Sequence, residues 1–132
     1  MDDLEQFSSR LEEITPLVGA ALEADGVPRT PDLETPTLWL ADVGHAVAGT
    51  LGSLPPEAAE AVFRLVEDVL RTGSEPARTA VATGFLEALA GDLDRGVVTQ
   101  EQLEPLLGPE SRNYLRAWDE YTLGHSRWGA DD

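Results

Sequence analysis

Apolar residues recur at three- and four-residue steps in block after block of this chain, and most blocks are bounded by proline or glycine. That spacing lines one stripe of an α-helix with apolar side chains, whereas a half-buried strand needs strict alternation. No stretch alternates convincingly. The expected fold is all-α, with five to six helices in a single domain over residues 1–124 and a short polar tail at 125–132. At 132 residues and without cysteine, the chain is long enough to bury a core without disulfide or metal.

The first block carries Leu4, Phe7, Leu11, Ile14, Val18, Ala21 and Leu22. Pro16 interrupts it. Either the helix kinks there, or Thr15 caps a second piece with Pro16 at its first position, where the missing N–H is harmless. Two pieces on one axis is the favoured arrangement. Asp25 to Pro36 holds Gly26, Pro28, Pro31 and Pro36 and reads as an ordered loop at the edge of the fold. The next helix, about Thr37 to Leu51, is apolar over a broad surface that includes Leu38, Leu40, Val43 and Val47, so it is expected to be central. Its glycines suggest close backbone packing.

Pro56 opens a helix to Thr72 whose stripe is Ala59, Val62, Phe63, Val66, Val69 and Leu70, with Glu57, Glu60, Glu67 and Asp68 placed off the stripe. Gly73 ends it, and Ser74 caps a helix running to Gly91. Helices joined by so short a link form an αα-hairpin. The hairpin Glu57–Gly91 resembles a HEAT-type repeat in which Glu75 and Arg78 brace the turn, so a HEAT-like helical stack is expected. Asp92 to Val98 reads as a loop. Thr99 and Gln102 then form a capping box, and Pro109 opens a last helix that Gly124 ends.

Charge narrows the function. Asp and Glu number 25 against 9 basic residues, all arginine, for a formal net charge of −16. Such a surface repels phosphate, which argues against nucleic-acid binding and against anionic membranes. No apolar run is long enough to span a bilayer. The start, Met1-Asp2-Asp3-Leu4-Glu5, is acidic where a secretory signal is basic and then apolar, so a cytoplasmic location is expected. The acidity has two readings: solvated faces that keep the protein soluble, or a surface for a basic protein partner.

Candidate chemistry is sparse. His45 and His125 stand in no metal-binding spacing, so no metal or cofactor is expected. Asp42 and His45 lie at i, i+3 and suit a local hydrogen bond. Ser111 sits at a helix start, where a hydroxyl bonds backbone. Neighbouring carboxylates arise by chance among so many acids. An enzyme is not expected. Among the aromatics, Tyr114 and Trp118 fit the core, whereas Trp39 and Trp128 are candidates for exposure, and tryptophan is a favoured interface anchor.

Three blocks together carry a family likeness: Thr37-Leu38-Trp39-Leu40-Ala41-Asp42, Ala80-Val81-Ala82-Thr83-Gly84-Phe85-Leu86-Glu87-Ala88-Leu89, and Leu106-Leu107-Gly108-Pro109-Glu110-Ser111-Arg112-Asn113-Tyr114. The arrangement resembles the DUF7674-like family of short acidic bacterial proteins, with relatives among immunity partners of polymorphic toxins. The resemblance implies a helical protein that works by binding, with no catalytic residues to carry over. The leading expectation is therefore an immunity protein that occludes a cognate toxin with its acidic surface. The expected contacts are Trp39, Asp42, Glu67, Asp68 and Glu75, with Asp119 and Glu120 in reserve. The alternatives are a structural or regulatory adaptor and a small-molecule-binding helical protein.

Overall fold

Asp2 starts the first helix with local bonds alone: its Oδ1 accepts the Leu4 N–H at 2.8 Å, and Glu5 Oε1 accepts the Asp2 N–H at 3.2 Å. A computed structural model of the chain describes residues 2–128. Helix α1 covers Asp3–Ile14 and α2 covers Pro16–Ala24. Between them Thr15 is extended, with φ −156° and ψ 119°, and its hydroxyl accepts the Leu17 N–H. The proline-at-first-position reading holds, but an extended residue breaks the helical path, so the two pieces do not share one axis.

Helix α3 covers Pro36–Thr50 and ends in a 3-10 turn, Leu51–Ser53; α4 covers Pro56–Thr72. Helix α5 is continuous through an α stretch, Glu75–Ala80, a π segment, Val81–Leu86, and a second α stretch, Glu87–Asp94. Helix α6 is the short Gln100–Leu103, and α7 is Pro109–Leu123. No strand forms among the described residues. The all-α expectation holds, with seven helices among the described residues where five to six were expected, because the break at Thr15 and the capping box at Thr99 each make a separate helix. Helix α5 also runs to Asp94 instead of ending at Gly91, which puts Asp92 on a helix and not in a loop.

Helix α3 is central, as its apolar breadth requires. It packs against α2, and most extensively against α5 around the π segment, while α4 lies between α1 and α7. The π segment follows from the closeness of that packing. A Cβ on Gly84 would stand 2.5 Å from the Thr37 carbonyl oxygen and 2.9 Å from Leu40 Cβ, so the α3 backbone fills the space a side chain would need. The widened turn leaves Val81, Phe85 and Leu86 fully inside the core. Phe85 meets Phe63 of α4 edge-on, with ring centroids 6.0 Å apart. Gly84→Ala is therefore expected to lower stability by ~2 kcal/mol, the usual range for overpacking. In the same urea titration Gly49→Ala, whose Cβ meets nothing within 4 Å, should be neutral or mildly stabilising.

The end of the described chain is packed, against the expectation of a free polar tail from residue 125. Gly124 closes α7 in the left-handed conformation, φ 84°. Arg127 then returns to the fold, and Trp128 is only 3% exposed. Residues 129–132 of the expected tail lie outside the described residues.

Candidate functional site

Three of the seven expected contact residues are inside the protein. Trp39 is 3% exposed, packs edge-on against Phe7 and donates its indole N–H to the Pro28 carbonyl at 2.9 Å. It fastens the loop to the core, so it cannot anchor a partner, and Trp128 is buried likewise. Glu67 is buried beneath the start of α7. Its carboxylate accepts the Glu110 N–H at 2.7 Å and the Ser111 N–H and hydroxyl, both at 3.2 Å. Asp119 is fully buried and accepts three bonds from Arg127: the backbone N–H at 3.0 Å, Nε at 3.1 Å and an outer guanidinium nitrogen at 2.7 Å. Both carboxylates are spent on holding α7 and the residues after it, so neither is available to a partner.

The other four remain accessible but are scattered. Asp68 pairs with Arg71 at 3.1 Å and lines a cleft of about 150 Å³ with Asp3 and Arg10. Glu75 is exposed at the start of α5, where Ser74 caps the helix and Arg78 donates to the Gly73 carbonyl. Asp42 on α3 and Glu120 on α7 take no part in lining that cleft.

The remaining chemistry is also structural. His45 Nδ1 lies 2.7 Å from Asp92 Oδ2, not on the neighbouring Asp42, and Arg95 donates to the other Asp92 oxygen at 2.6 Å. Asp92, in the last turn of α5, thus has both oxygens occupied. Ser111 bonds the Glu67 carboxylate instead of backbone. Tyr114 and Trp118 are half-buried against the core, whereas Tyr121 is 84% exposed. The Tyr114 hydroxyl donates to Glu87 at 2.5 Å, and burial together with that carboxylate pushes its pKa well above the ordinary tyrosine value. Folded Tyr114 therefore keeps its proton where the unfolded chain gives it up, and stability falls as pH rises past about 10. In a tyrosinate absorbance titration of the folded protein, Tyr114 is expected to ionise well above the ordinary tyrosine range.

A larger concavity lies elsewhere. It is a groove of about 770 Å³ between α1 and the loop after α2, within the size range of ligand-binding clefts. Helix periodicity presents Glu5, Ser8, Ser9, Glu12 and Glu13 from α1 on one wall; Arg29, Thr30, Pro31 and Leu33 form the other. Polar bonds fix the loop wall: Ser8 Oγ donates to the Arg29 carbonyl at 2.9 Å, and the Arg29 guanidinium meets Glu12 at 2.7 Å and Glu23 at 2.9 Å. Glu23 first and Glu12 second hold that guanidinium above the ordinary arginine value. Asp32, which accepts the Glu34 N–H and bonds Thr35, is held below the usual carboxylate range and stiffens the same loop. Sequence reasoning missed this site. Its signal was a loop dense in proline beside a helix whose serines, Ser8 and Ser9, interrupt an otherwise charged face.

Fold and surface define an acidic, all-helical protein with a groove at its N-terminal helix and its strongest polar bonds committed to structure. A family model described as a domain of unknown function (DUF7674) matches residues 4–124, and the chain belongs to that family. No curated protein and no solved structure matches the chain.

Proposed function

We propose that the chain is a protein-binding module that recognises a basic partner, and that it serves in the cytoplasm as an immunity protein covering the basic cleft of a cognate toxin. One observation carries this reading. Of the acids among the described residues, only Glu67, Asp92 and Asp119 are buried, so nearly all of the negative charge is displayed to solvent. A displayed field of one sign steers an oppositely charged partner and favours its docking. In this reading α4 and α5, linked through Gly73 and Ser74 and braced by Arg78, serve as a HEAT-like hairpin that keeps the acidic faces rigid. Asp42, Asp68, Glu75 and Glu120 are the contacts retained from the sequence.

No group of three or more metal-ligating side chains among the described residues is arranged to hold an ion, and no helix among them is long and apolar enough to cross a membrane. The second reading, a small-molecule-binding helical protein, draws support from the size of the α1 groove.

Capture on the immobilised full chain separates the two. A lysate of the source cells passed at ~0.05 M salt, then washed at ~0.5 M, spans a threefold change in screening length. A basic protein retained in the first step and released in the second is expected. Recovery of no basic protein at low salt overturns the reading.

A further inference from the structure

The α1 groove differs from the rest of the acidic surface in being concave and in combining carboxylates with apolar wall. Leu33 stands about half exposed at one rim, beside Pro31. The methylene stems of glutamate and arginine side chains add further apolar surface. Across from them are Glu5, Glu12 and Glu13. Arg29, the basic residue of the lining, is engaged by Glu12 and Glu23, so it does not offset Glu5 and Glu13.

That combination selects among occupants. An anionic ligand meets the carboxylates of Glu5 and Glu13, which no arginine of the lining offsets, and is repelled. A second copy of this chain brings another −16 and is repelled as well. A neutral apolar molecule fits the volume but leaves the rim charge unanswered. A basic segment with an apolar side chain satisfies both features.

We propose that the groove seats a short segment of the protein partner in which a leucine-sized side chain packs on Leu33 and Pro31 while flanking arginines or lysines meet Glu5 and Glu13. The proposal rests on the reading that the partner is a basic protein, and it names the place where that partner is held most specifically. Elsewhere on the surface the acids act by long-range attraction; here charge and shape act together.

The test uses the full chain, isotopically labelled for amide NMR, and two acetylated, amidated probe peptides: one alternating arginine and leucine, the other with glutamate replacing each arginine. The arginine peptide is expected to move the amides of α1 and of residues 28–33, and the glutamate peptide to move none. Ser9→Trp fills the groove from an exposed position without changing charge, and should weaken binding at least tenfold. Leu33→Ser, which removes only the apolar contact, should weaken it several-fold. Glu101→Gln, exposed on α6 and outside the groove, should leave the location of the shifts unchanged. Shifts spread over α4 and α7, or full binding by both Ser9→Trp and Leu33→Ser, overturn the groove while leaving a basic partner in place. Absence of binding by the arginine peptide overturns the groove whatever the capture experiment returns. A captured partner without basic character overturns the broader reading instead.

Discussion

Asp119→Ala is expected to lower the stability of the protein by about 3 kcal/mol, because the Arg127 backbone N–H and guanidinium lose the fully buried carboxylate that accepts three bonds from them. Asp119 is 0% exposed and is the acceptor for the Arg127 backbone and guanidinium together. Its carboxylate, with Asp94 at 2.7 Å on the same guanidinium, holds Arg127 above the ordinary arginine pKa, Asp119 being the larger cause. Without it, Arg127 keeps only the exposed Asp94 partner, and Trp128 loses the residue that ties it to the core. Two readouts should move together: the urea midpoint, and the emission of Trp128, which should shift to the red as the ring reaches water. The double variant Asp119→Ala, Arg127→Ala should lose less than the sum of the single variants, since neither partner is then left unpaired. A loss below about 1 kcal/mol, the size of an exposed ion pair, would show that Asp119 does not hold this segment.

Glu67→Ala is expected to cost about 3 kcal/mol, combining a lost charge-assisted cap with backbone donors left unpaired at a buried helix start. A carboxylate from α4 does for α7 what a local capping residue does for other helices. Gly108, at the cap position, makes room for it: a Cβ there would lie 2.5 Å from Glu67 Cδ. Glu67→Gln should lose about half as much, since one amide oxygen can still accept but the amide nitrogen cannot. Amide exchange locates the effect. Protection at Glu110 and Ser111 should fall in Glu67→Ala before that of α4 does. Unchanged exchange at those two amides would contradict the capping role.

Both residues mark where the sequence was misread. The helices themselves were legible, because stripes such as Leu4-Phe7-Leu11 and Val62-Phe63-Val66 repeat with helical period, and Thr15, Ser74, Thr99 and Gly124 cap where their chemistry demands. The buried acids were also legible by position, yet their residue type suggested solvent. Glu67 stands four residues after Phe63 and three before Leu70, in line with the apolar face of α4. Asp119 continues the step from Ser111 to Leu115, and Asp92 that from Phe85 through Leu89. Leu38 and Trp39 were exchanged in the same way. Leu38 is exposed, while Trp39 faces Phe7. What no local pattern reports is the partner: apart from Arg95, three residues after Asp92, the arginine, histidine, serine or backbone N–H that makes burial of a carboxylate tolerable lies between 8 and 47 residues away, joined only by the fold. The α1 groove was hidden for the same reason, since one wall is a loop whose course depends on Ser8 and Trp39.

The buried acids also sharpen the functional account. With Glu67, Asp92 and Asp119 assigned to structure, the acids that remain are displayed, and recognition of a basic protein through that displayed charge is the central claim. It is tested most directly by the dissociation constant of the captured complex, measured by titration calorimetry from low to high salt. The account predicts a steep fall, with affinity weakening at least a hundredfold between ~0.05 M and ~0.5 M salt as the attraction between exposed charges is screened. An affinity that stays constant across that range would contradict it, and would place the binding energy in apolar contact alone.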